Sequence, residues 1–115
     1  MEFQKKWYFP DAYMPDTGDG ISHETISVLN LSGEEAQISL TLYFENSRPM
    51  KGFYAQCCSE RTCHIRLDRL KTESGASIPR CVPYSIEVES SVPVLCQYTR
   101  VDATRPSYSL MTALY

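Results

Sequence analysis

Gln37-Ile38-Ser39-Leu40-Thr41-Leu42-Tyr43-Phe44 decides the fold, because Ile38, Leu40, Leu42 and Phe44 fall on every second position with more polar residues between them. In an extended chain successive side chains point to opposite faces, so this alternation makes one face apolar, and that face must be covered by a second layer. The same grammar recurs along the chain. Ile26 and Val28 share a parity within residues 21–30, and Cys63, Ile65 and Leu67 share one within 62–67. Residues 53–57, 84–89 and 92–100 are further runs of strand length, and 108–115 closes the chain with another alternating run. Leu31-Ser32-Gly33-Glu34-Glu35 supplies turn chemistry and predicts a hairpin joining 21–30 to 37–44. Seven prolines and five glycines stand between the runs as punctuation, and Pro93 suits an edge or first-residue position in its strand. About seven to eight short strands without a 12-residue amphipathic helix predict an all-β fold. Its expected form is an antiparallel β-sandwich built as a single domain over residues 1–115, with a closed barrel as the alternative.

Length and composition agree with one core. At 115 residues, 43% hydrophobic and 22% charged, the chain matches ordinary globular domains, and it has no 18-residue apolar run for membrane insertion. Its first residues carry lysines without the apolar stretch of a secretory signal, so the expected location is the cytoplasm. The net charge of -3 gives no electrostatic ground for nucleic-acid binding. The charge is unevenly placed. Up to Ser47 two lysines stand against eight acids, whereas Arg48 to Arg80 carries seven bases against Glu60, Asp68 and Glu73. The basic middle could face an acidic ligand or neighbour.

Alternation carried to the strand ends points three charged residues inward. Glu24 shares parity with Ile26 and Val28, Arg61 with Cys63 and Ile65, and Arg100 with Val94, Cys96 and Tyr98. An inward ionised side chain must be paired, so the pattern predicts one acid and two arginines meeting at one mouth of the sandwich. Ser22, His23 and Thr99 are the neighbouring hydrogen-bonding groups, and Trp7 and Tyr98 supply flat apolar surfaces. Planar charged groups that bridge adjacent hydroxyls, beside a ring that covers C–H surface, suit a small polyol. The competing reading is a closed ion-pair cluster that plugs the end, with Trp7 a hydrophobic anchor.

Catalytic and metal chemistry find little support. No spacing selects a nucleophile, base and orienting group, no glycine-rich phosphate loop is present, and no cofactor is implied. Cys57, Cys58, Cys63, Cys81 and Cys96 are an odd number, which favours reduced thiols. Cys57-Cys58 and Cys63-His64 are adjacent pairs whose members face apart on a strand, so no metal site is expected. Asn30-Leu31-Ser32 matches a glycosylation sequon but carries no weight without export.

Ile21-Ser22-His23-Glu24-Thr25 leading into Val28-Leu29-Asn30, then Arg61-Thr62 with His64-Ile65-Arg66, and Val92-Pro93-Val94 running to Gln97-Tyr98-Thr99-Arg100-Val101-Asp102 form an ordered set of motifs. This set resembles the sensory rhodopsin transducer family from about Trp7 to the C-terminus. The resemblance implies a small soluble β-sandwich, a homotetramer, and either a membrane rhodopsin partner or a role as an intracellular, non-enzymatic sensor of a sugar or related metabolite. In the adaptor version the basic middle segment would meet an acidic cytoplasmic face. By matching motif it implies Trp7, Ser22, His23, Glu24, Arg61, Thr99, Arg100 and Asp102 as the ligand pocket. One departure is Tyr98, which stands where the family often has histidine before the final Thr-Arg.

Overall fold

The computed structural model describes residues 2–16, 22–102 and 109–113, and its regular structure there is entirely strand: β1 (Gln4–Ala12), β2 (His23–Asn30), β3 (Ala36–Phe44), β4 (Met50–Cys57), β5 (Arg61–Arg66), β6 (Tyr84–Asp102) and β7 (Ser109–Ala113). All pairings between them are antiparallel. The fold is the expected antiparallel β-sandwich, a sheet curled into two layers. Tyr108 and Tyr115, the expected ends of the closing run, lie outside the described residues.

β6 holds the two layers together. Its first part pairs with β3 on one side and β1 on the other, giving the order β4-β3-β6-β1; its last part pairs with β2 and β7, giving β5-β2-β6-β7. The sequence suggested two strands broken near Pro93, but the chain crosses between layers there without stopping. Alternation survives the crossing: Val88, Ser90, Val92, Val94, Cys96 and Tyr98 are all buried while Pro93 points out. The crossing is fixed locally, with Ser90 Oγ accepting from Val92 N at 3.3 Å and Ser91 Oγ accepting from Gln37 N at 2.9 Å.

The predicted hairpin of β2 with β3 does not form. β2 pairs with β5 and β6, β3 with β4 and β6, and the two strands belong to different layers. The turn chemistry is real but it redirects the chain. Asn30 is buried; its Nδ2 donates to the carbonyls of Glu34, Cys57 and Cys58 at 2.8, 3.0 and 3.3 Å, and its Oδ1 accepts from Ser32 N and Oγ. That side chain ties the turn to the end of β4 while the chain crosses from β2 to β3 in the other layer. Burial of this kind gives the sequon asparagine a structural task.

β1 was hidden by its lysines and Pro10, although Trp7, Phe9 and Ala12 enter the core from it. They meet Ile26 and Val28 of β2, Ile38, Leu40 and Leu42 of β3 and Ile65 of β5, the apolar parities that the alternation assigned inward, and Phe53 of β4. Phe9 and Tyr98 stack across the layers at 5.9 Å between ring centres.

Candidate functional site

Tyr84 and Tyr98 are 14 positions apart on β6, roughly 46 Å of extended chain, yet both hydroxyls donate to one carboxylate. That carboxylate is Glu24. Tyr84 reaches Oε1 from one layer and Tyr98 reaches Oε2 from the other, while the backbone N–H of Tyr13, just beyond β1, donates to Oε2 at 2.8 Å. Glu24 is 0% exposed, so three protein donors from three segments replace its water. The price falls on the phenols: burial first, then the adjacent carboxylate, pushes Tyr84 and Tyr98 far above the ordinary tyrosine range and keeps both protonated.

Arg100 lies directly opposite Glu24 in the β2–β6 register, on the same face. Burial acts against its charge, but Tyr98, Glu24 and Asp11 outweigh that and hold it cationic. Its side chain is 19% exposed; Nη2 sits 3.6 Å from Asp11 Oδ1, and the buried Nε has no hydrogen-bond partner among the described residues. Asp11 also lines a groove of about 470 Å³ with Tyr43, Glu45, Tyr84 and Ser85, which opens between the ends of β1 and β3 and the start of β6. Arg80 braces the neighbouring segments, donating from Nη1 to the carbonyls of Pro15 and Ser22 at 2.8 and 2.9 Å.

The eight sequence-derived candidates separate in space. Glu24 and Arg100 come together as parity required. Ser22 is buried beside them, its hydroxyl donating to the Asp16 carbonyl at 3.2 Å, and Asp102 ends β6 close enough to Tyr13 to act on its phenol. His23 and Thr99 occupy the opposite parity, half-buried on the outer face. Trp7 is in the core, its indole N–H donating to the Val94 and Gln4 carbonyls at 3.0 and 3.1 Å. Arg61 corrects the expected triad: it pairs with Asn30, six residues or roughly 20 Å along β2 from Glu24, and donates to the carbonyls of Ser59 and Glu60. The acid therefore meets one arginine and two tyrosines, not two arginines.

Tyr84 and Asp11 were missed by sequence reasoning. Tyr84 shares parity with Ile86 and Val88, which marks it as inward; nothing marked Asp11, whose position depends on a register shift between Phe9 and Ala12. Among the described residues no cluster of three or more His, Cys, Asp or Glu side chains is arranged to hold a metal ion. Cys57 and Cys96 are buried, Cys63 is half-buried, and Cys58 and Cys81 are exposed. No described helix is long and apolar enough to cross a membrane.

Residues 3–115 match the family model of the Anabaena sensory rhodopsin transducer. Among solved structures, Thermotoga maritima 1070 is 37% identical with a TM-score of 0.87, covering 99% of this chain and 94% of that one. The Anabaena sensory rhodopsin transducer itself is 30% identical with a TM-score of 0.78, covering 87% of this chain and 90% of that one. No curated protein matches the chain.

Proposed function

The chain belongs to the Anabaena sensory rhodopsin transducer family, and on that footing we propose that it is a single-domain, non-enzymatic signalling module of the cytoplasm. In this reading it binds a small polar metabolite, a sugar or related compound, and passes its occupancy to a protein partner while assembled as a homotetramer. The observation that carries the ligand is Arg100, whose buried Nε makes no hydrogen bond with a described residue although Glu24 and Tyr98 hold the charge in place. In this reading Glu24 is not the main ligand contact, because it is fully buried and both of its oxygens already accept protein hydrogen bonds. Arg100 and the exposed Asp11 carboxylate supply donors and acceptors for adjacent hydroxyls, and the groove beside Asp11 has the volume of a small-ligand site.

Thermal-shift screening against sugars, sugar acids and polyols tests this. A ligand that binds only the folded state at about 100 times its Kd adds about 2.7 kcal/mol, several degrees of melting temperature for a chain this size. The expected result is a hit that loses its shift in Arg100→Gln; hits that persist in that variant would move the site elsewhere.

A second reading is a direct adaptor for a membrane sensory rhodopsin with no ligand of its own. It is favoured by the occupied Glu24 carboxylate, which then serves as a structural plug. Binding of a sensory rhodopsin by a protein that answers to no compound in the screen would select it.

A further inference from the structure

The outer face of the β4-β3-β6-β1 layer has an unusual composition. Six described large apolar or aromatic side chains are well exposed; Phe3, Leu31 and Val82 lie outside the strands, and the three within strands, Tyr8, Tyr43 and Tyr54 at 54, 43 and 63% exposure, all stand on this face. Register places them. Tyr54, Ser39, Glu89 and Lys6 form one row across the four strands, Thr41, Glu87 and Tyr8 the next, and Tyr43 follows two residues along β3. Lys6 lies directly opposite Glu89, whereas Tyr8 lies directly opposite Glu87. The Tyr43 hydroxyl donates to Glu87 Oε1 at 2.8 Å, and that bond first, with burial second, pushes the phenol above its ordinary range.

Glu87 is therefore a carboxylate bonded by the Tyr43 hydroxyl from β3 and placed opposite Tyr8 of β1, the two tyrosines standing on strands two apart and so about 10 Å from each other. A carboxylate flanked by aromatic faces is the chemistry that recognises a guanidinium or ammonium group, and exposed tyrosines are the side chains that protein interfaces favour. Asp11 and Glu45 extend the same sign at the adjoining groove.

We propose that this face is the docking surface for a Lys/Arg-bearing cytoplasmic segment of a membrane partner. The proposal rests on the transducer reading and reverses the polarity expected from the sequence. Cytoplasmic loops of membrane proteins carry an excess of Lys and Arg, so an acidic, tyrosine-rich face complements them, and the basic Arg48–Arg80 segment has the wrong sign.

Fluorescence anisotropy with a labelled (Arg-Gly-Ser)4 peptide, and (Glu-Gly-Ser)4 as counter-probe, tests the surface. The arginine peptide is expected to bind, and Glu87→Gln and Tyr8→Ala each to weaken it about fivefold without lowering the melting temperature. Glu60→Gln, which removes an equal charge in the β4–β5 turn, is expected to leave binding within about twofold. Equal losses in Glu60→Gln and Glu87→Gln, or preference for the acidic peptide, would overturn the proposal. So would a fall in sedimentation mass in Glu87→Gln, which would assign the face to a second copy of the chain. The two readings fail differently. A sensory rhodopsin in nanodiscs that binds wild type and both face variants alike ends the docking assignment and keeps the transducer. Peptide recognition that depends on Glu87, with no rhodopsin binding, keeps the surface and ends the rhodopsin partnership.

Discussion

Glu24 is surrounded by groups that want something from it. Two phenol hydroxyls and one amide have no water to turn to if the carboxylate is removed, and each such orphan costs about 1–3 kcal/mol. Glu24→Leu keeps the volume and removes the acceptor, so it is expected to lower unfolding free energy by about 3–5 kcal/mol, measured by urea titration. A loss below about 1 kcal/mol would mean that the hydroxyls find other partners. At this scale the sequence was informative where parity applies: a carboxylate and a guanidinium two or four positions from core residues had to face inward, and Glu24 and Arg100 do. Tyr84 was legible by the same rule. Asn30 was not, because an asparagine followed by serine two residues on reads as a surface turn until its three carbonyl partners, which come from both Glu34 and the end of β4, are known.

Strand assembly follows less directly from sequence. β3 was readable because its apolar positions are uninterrupted, whereas β1 alternates lysines, a proline and three core residues, and owes its strand to pairing with β6 over Gln4 to Ala12. β2 pairs with β5 and β6 and not with β3, and the turn after it is tied by Asn30 to the carbonyls of Glu34, Cys57 and Cys58. β4 shows how one residue shapes an edge. Register shifts between Leu40 and Leu42 opposite Gly52, which has φ near +95°, and the 71–77 loop, closed by the Lys71–Ser77 bridge, brings the Thr72 methyl to 3.7 Å from where a Cβ would stand. The space is ordinary contact, so the cost of a side chain lies in the backbone. Gly52→Ala is expected to destabilise by about 1–2 kcal/mol through that positive φ. Thr72→Ala in the same background should not restore the loss, as it would if crowding were the cause.

At the scale of the whole molecule, alternation tells which face a residue occupies but not which end of the sandwich, and that is why Arg61 was misplaced: its parity is inward-compatible, and only the β2–β5 register sends it to the far end. What closes the near end is a pair of neutral phenols on one carboxylate, which makes the joined layers sensitive to base. Tyr84 and Tyr98 are protonated in the folded state well beyond the pH at which they would ionise in the unfolded chain, because of burial and of Glu24. A group whose folded pKa is raised contributes its full stability below the unfolded value and loses it as pH rises above that value. Cys96, pushed up to about 12 by burial, follows the same rule from a lower starting point, so the decline begins near pH 9 and steepens beyond pH 10, where the two tyrosines join it. Each tyrosine adds about 1.4 kcal/mol of lost stability per pH unit there. Urea titrations at pH 8, 9, 10 and 11 are expected to show little change between the first two and a growing loss thereafter. Tyr84→Phe and Tyr98→Phe, though less stable at pH 8 for want of a hydrogen bond, should each decline less steeply above pH 10 by about that amount. Parallel curves for wild type and both variants would show that the hydroxyls ionise before the layers part, and would remove the carboxylate-centred closure from the account of this fold.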